Sequence, residues 1–212
     1  MNSGSVPLAF VRNAKARRYI LRFHDGMARV TIPRGGSLQF AHEFARKNGA
    51  WIEKQLRRAP AAWGDGTEIL FRGEPTMLAF DGLHAKFADQ EVMVAAGDDL
   101  RIAVESRMRS LATKELVQRA WELAGEHGLE VSAFAVRNQR SRWGSCSLKK
   151  RISLNWRLIQ TPELVRDYII VHELMHLKEM NHSPKFWAHV ETAFTQWREA
   201  ESWLRKHSSL LR

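Results

Sequence analysis

The sequence predicts an α+β protein: a β-rich N-terminal region followed by a C-terminal part of helices and strands. Three patterns point there. Apolar residues alternate with period two through much of the first hundred positions, between glycine-marked turns. Helical spacing takes over from Glu105. Two further alternating runs, Val131–Val136 and Ile152–Trp156, interrupt the helical part. The expected organisation is a β-rich region over 1–104 with one helix, then a second domain over 105–212.

In chain order, Tyr19, Leu21 and Phe23 alternate, His24-Asp25-Gly26 supplies a turn, and Ala28, Val30 and Ile32 alternate again, which reads as a hairpin. Leu38–Arg58 reads as one helix with Phe40, Phe44, Ile52 and Leu56 near helical spacing. Residues 60–66 read as a loop and a possible sub-domain boundary. Ile69–Phe71, Met77–Phe80, Glu91–Val94 and Leu100–Val104 are β-type runs. A helix is expected from Glu105 to about His127, stopped by Gly128. Thr161 and Pro162 read as cap and first turn of a buried helix reaching about Met180. Ser183-Pro184 repeats that signature before a final helix with Trp187, Val190, Phe194, Trp197 and Leu204 on one face.

Composition narrows the class. Of 212 residues, 44% are hydrophobic and 26% charged, which is globular rather than disordered. The lone cysteine, Cys146, excludes an intrachain disulfide and a Cys-only metal site, and suits a cytoplasmic protein. No apolar run of about 18 residues exists, so no membrane span is expected. The net charge of +10 is uneven. Residues 1–60 hold 12 basic and 3 acidic side chains, residues 61–130 hold 7 and 13, and residues 131–160 hold 7 and none. Such basic blocks attract phosphates or acidic chains when they converge, which leaves weak nucleic-acid association open.

The chemistry concentrates in His172-Glu173-Leu174-Met175-His176. Histidines at i and i+4 share a helix face, so both imidazoles reach one metal ion. Glu173, beside the first of them, is placed to act as general base on a metal-bound water rather than as a ligand. Catalytic zinc takes three protein ligands and keeps one open position. His182, six residues after His176, cannot share the helix face, so the chain must stop and turn back to bring it in. Asn181 suits such a turn, through its tolerance of the left-handed region. Arg140 and Arg142, in the polar loop Arg140–Ser147, are candidates to bind substrate or steady a developing oxyanion.

The segments Arg142-Trp143-Gly144-Ser145-Cys146-Ser147, Ile152–Leu158, His172–Leu177, Asn181-His182-Ser183 and Phe186-Trp187 together resemble the YgjP-like metallopeptidase family. These are zinc-dependent hydrolases of the zincin type, related to the SprT-like and WLM metallopeptidases. The resemblance is tight over the last 85 or so residues and looser before them. It implies one zinc ion held by His172, His176 and His182, Glu173 as the catalytic residue, and a zincin-like helix and strand core in 105–212 with the N-terminal β-rich region packed on it. Glu179 stands where the metzincins have glycine, which separates the chain from that clan. In a zincin the strand near Ile152–Trp156 is expected to pair with an extended peptide. The leading expectation is a zinc metallopeptidase acting on peptide or protein. Hydrolysis of a small anionic phosphoester or nucleotide, and a nucleic-acid-associated binding module, are the alternatives.

Overall fold

The computed structural model describes residues 8–24, 27–58 and 62–211. It is an α+β structure of small sheets and six α-helices among the described residues. Contacts divide the chain into two compact units, Met1–Ala62 and Trp63–Arg212.

In the first unit, β2 (Ile20–His24) and β3 (Met27–Ile32) pair antiparallel, as the alternation predicts. The expected turn residues Asp25 and Gly26 lie outside the described residues. A third strand, β1 (Leu8–Arg12), pairs parallel with β3 from the far side and makes β3 central. Its side chains Val30 and Ile32 are buried with Ala41 and Ala45 of α1 (Leu38–Lys47). The single helix expected over 38–58 is two. Asn48 caps α1, its side-chain amide and its backbone N–H both donating to Phe44 O, and α2 (Gly49–Arg58) starts afresh.

The second unit opens with β4 (Glu68–Phe71) and β5 (Glu74–Met77), then β6 (Ala79–Phe80), β7 (His84–Phe87) and β8 (Gln90–Met93). These form a two-stranded and a three-stranded antiparallel sheet. The run Met77–Phe80 is broken at Leu78, which is buried in the core. Leu100–Val104 is not a strand. Asp99 accepts hydrogen bonds from the amides of Arg101 and Ile102 and so starts the long helix α3 (Leu100–Glu126). An alternating run next to an N-cap is helix when its residues also fit i, i+4, as Leu100, Val104, Met108 and Ala112 do along the buried face. Gly128 follows at φ 63°, the left-handed stop expected there.

The next sheet has β9 (Ala133–Arg137), β10 (Gly144–Cys146) and β11 (Arg151–Asn155) in the order β10-β11-β9. A 3₁₀ helix over Trp156–Gln160 follows. Thr161 caps its end, with its hydroxyl donating to Leu158 O, and does not cap α4 (Glu163–Met175), whose N-cap is Pro162 without a side-chain bond. The helix expected to run on to Met180 ends at Met175. The single final helix expected after Ser183 is two, α5 (Pro184–Ala193) and α6 (Trp197–His207), broken at Phe194–Gln196.

The core of this unit gathers α3, α4, the sheet around β11 and the small β4–β8 sheets into one cluster. Position 104 therefore lies inside a helix that shares its core with residues 69–94. α4 is buried on most sides, with Val165, Ile170, Val171, Leu174 and Met175 at 0% exposure. Each such aliphatic side chain contributes about 1.5–3 kcal/mol by leaving water. Among the described residues, no helix is long and apolar enough to cross a membrane.

Candidate metal centre

Because α4 is packed on most sides, its positions are held rigidly, and its C-terminal turn presents His172, Glu173 and His176. Leu177, Lys178 and Glu179 form turns back onto Leu174 and Met175 and end the helix. Asn181 does not use the left-handed region. Its side chain accepts from the Ser183 amide instead, a local turn that sets up α5. Ser183 then caps α5 through the Phe186 amide, with Pro184 in the first turn. His182 sits between these two devices and is carried back toward the helix.

The result is convergence. One ring nitrogen from each of His172, His176 and His182 lies within 4.8 Å of the others. The Nε2 atoms of His172 and His182 are 3.0 Å apart. His176 Nδ1 is 3.1 Å from the carbonyl of Glu179, which holds the proton on Nδ1 and leaves Nε2 as a lone-pair donor. Burial first, and the other two histidines second, push His172 down to about 4. Burial also lowers His176, against its bond to Glu179. Both therefore present neutral imidazole at neutral pH, the form that binds metal. Three imidazole nitrogens meeting on one point fit a borderline-soft dication. Phe186, fully buried, stacks on His176 at 4.5 Å and meets the other two rings edge-on at 4.9 and 4.8 Å.

Glu173 is 6% exposed and points at β10. Burial pushes its carboxyl up to about 8, opposed by the Arg142 charge and a hydrogen bond from the Cys146 amide. Gly144 is what lets the carboxylate sit there. A Cβ at that position would lie 2.5 Å from Glu173 Oε1 and Cγ. The carboxylate and the histidines line one cleft of about 660 Å³. One wall is Arg142–Cys146, and the other is α6, through Glu201, Leu204 and Arg205.

Of the two candidate arginines, Arg142 lines the cleft and Arg140 does not. Cys146 lines it but stands outside the histidine cluster. The strand expected to receive a peptide is not available: β11 is paired on both sides, to β10 and to β9. The open edge on the cleft is β10. Gly144, Phe186 and the Glu179 carbonyl escaped the sequence reading as parts of the site. A glycine or phenylalanine announces no chemistry, and a backbone carbonyl has no signature.

No curated protein matches the chain. Among solved structures, it is similar to the metallopeptidase zymogen jannalysin of Methanocaldococcus jannaschii, at 24% identity, covering 44% of this chain and 96% of that one, with a TM-score of 0.38. It is also similar to the metallopeptidase zymogen abylysin of Pyrococcus abyssi, at 27% identity, covering 47% and 96%, with a TM-score of 0.37. The YgjP-like metallopeptidase domain matches residues 17–207, nearly the whole chain, and the protein belongs to that family.

Proposed function

We propose that the protein is a zinc-dependent peptidase in which His172, His176 and His182 hold one zinc ion and Glu173 carries the proton. The observation that supports this reading most is the pairing of three convergent imidazole nitrogens with a buried carboxylate lining the same cleft. Zinc bound there supplies a Lewis acid that brings a water's pKa toward 7 and polarises a carbonyl.

The chain's own residues do the rest. Glu173 accepts a proton from the attacking water and passes it to the leaving nitrogen. Arg142 and the Cys146 amide favour its ionised form, while burial keeps it basic enough to take a proton near neutrality. The carbonyl of Glu179 fixes the tautomer of His176. The free edge of β10 carries the backbone groups of Gly144 and the carbonyl of Cys146, which face away from β11 and would pair with the main chain of an extended peptide. The family is one of metallopeptidases, which favours peptide over phosphoester or nucleic acid as the substrate. The lone free cysteine is consistent with a cytoplasmic setting.

The test is Glu173→Gln in the zinc-loaded protein against an unfolded protein substrate. The variant should keep zinc and lose turnover by about 10³-fold or more. Undiminished turnover refutes the role of Glu173.

A further inference from the structure

The basic residues of 131–160 are not spread evenly around the second unit. Arg157, at the start of the 3₁₀ helix, lies with its guanidinium 4.7 Å from the Trp156 ring, and Arg109 of α3 lies 5.0 Å from the same ring. Arg157 donates to Asn138 Oδ1 at 2.7 Å, which ties it to the loop that carries Arg140. Arg101 and Arg109 share a single carboxylate, Glu105, at 2.8 Å each. Burial lowers the Arg157 guanidinium, the nearby charges of Arg109, Arg101 and Arg140 add to that, and Glu105 opposes them. Two guanidiniums thus share one carboxylate, a third sits on the same indole ring as Arg109, and residues 131–160 contain no acidic side chain at all.

This cluster has a definite place in the fold. The loop from Asn138 to Trp143 runs from it straight into β10. Asn155 holds that loop by donating from its side chain to the carbonyls of Gln139 and Arg142. The Asn155 amide also bonds Trp143 O. Arg142, the next basic residue along, lines the cleft itself. The loop itself thus links the cleft to the cluster: Arg142 lines the cleft, Arg140 stands two residues back, and Asn138 holds Arg157, which shares the Trp156 ring with Arg109.

We propose that this arginine cluster binds an acidic segment of the peptide substrate, so that the enzyme prefers substrates with aspartates and glutamates grouped on one side of the scissile bond. The proposal rests on the peptidase reading and on β10 as the docking edge. Its chemistry is charge complementarity at a partly exposed surface: Arg140 is exposed, and Arg101 and Arg109 are 29% and 43% exposed in their side chains. Guanidiniums suit carboxylates through paired N–H donors.

The experiment is binding, measured by fluorescence anisotropy on zinc-loaded Glu173→Gln protein. Three labelled peptides share one neutral core and carry four glutamates before it, after it, or not at all. One acidic peptide should bind about tenfold more tightly than the neutral one, since two or three exposed ion pairs amount to that ratio. The advantage should shrink between about 50 and about 500 mM salt, and in a further Arg140→Gln change. Arg140 is exposed and its side chain makes no hydrogen bond among the described residues, so the change leaves the packing untouched, and the salt series needs no variant. Equal binding of all three peptides overturns the proposal, as does an advantage indifferent to salt and to Arg140. Tighter binding of a single-stranded oligonucleotide of equal charge, lost in Arg140→Gln, overturns it in favour of nucleic acid. Salt-sensitive preference for one acidic peptide, with no cleavage by the protein carrying Glu173, upholds the cluster and refutes the peptidase reading instead.

Discussion

Chelator-treated protein should lose stability as the pH rises from 6.5 to 8, and Glu173→Gln should remove most of that loss. The carboxyl of Glu173 ionises near 4.5 in the unfolded chain and at about 8 in the folded one. Between those values the folded state binds the proton and the unfolded state does not. Folding is therefore favoured by low pH in this window, and the stability of the folded state declines as the pH climbs toward 8. His172 works in the opposite sense but lower down. Its folded pKa of about 4 lies below the unfolded 6.5, so its contribution is lost as the pH falls through that range and is nearly constant above it. Between pH 6.5 and 8 the Glu173 effect is the larger, and His172 and His176, which finish losing their protons in the unfolded chain there, oppose it by roughly 0.4 kcal/mol each at most. At 1.36 kcal/mol per unit, tapering as the folded carboxyl begins to ionise, the loss comes to about 1.5 kcal/mol. For a unit of this size that is about 3–6 °C in Tm. Urea unfolding at four pH values in the presence of chelator, on both proteins, reads it directly. Other titrating groups contribute equally to both, so the quantity of interest is the difference in slope. Parallel lines would mean that Glu173 is not held in a dry, carboxylate-hostile position, and the account of its basicity would fail.

The remaining expectations test how the site is built. Gly144→Ala should drive the Glu173 carboxylate from its place and lower kcat by about 10²-fold, with zinc affinity by competition titration almost unchanged. Loss of zinc binding in that variant would show that the clash spreads to the histidines. His182→Ala should abolish zinc-dependent stabilisation, which for the intact triad at 1,000 times Kd amounts to about 4 kcal/mol in a thermal melt. Retained stabilisation would mean that the third ligand lies elsewhere. Asp167→Ala should cost about 2 kcal/mol in urea unfolding. Asp167 is 8% exposed on α4, and the change removes the partner of Nε and of one terminal nitrogen of Arg119 of α3, which reaches the carboxylate at 2.8 Å, while Glu122 and Glu126 still hold its other terminal nitrogen. A negligible cost would show that the two helices are held by packing alone.

What the sequence made legible, and what it hid, follows from the range of each interaction. The shared face of His172 and His176 was readable because one helical turn separates them, and helix geometry is local. The turn that returns His182 was readable in outline, since Ser183-Pro184 announces a new helix wherever it occurs. Its mechanism was misjudged: Asn181 offers either a left-handed backbone or a side-chain acceptor, and only the neighbouring Ser183 amide decides between them. Leu100–Val104 failed for a related reason. Five residues with alternating apolar positions fit both periods, and Asp99 settles the matter through two hydrogen bonds that a hydropathy pattern does not contain. β10 was the costliest omission. Three residues, one of them glycine, leave no alternation to detect, and the strand exists because β11 beside it has a partner to take. Yet β10 carries both features that a proton-transferring carboxylate needs from its surroundings. At Gly144 it provides room for Glu173, and at Cys146 it provides an amide that favours the charged form. Local sequence therefore names the groups that can bind a metal and carry a proton. The environment that sets a carboxyl near 8 instead of near 4.5 comes from a strand that only the tertiary fold creates.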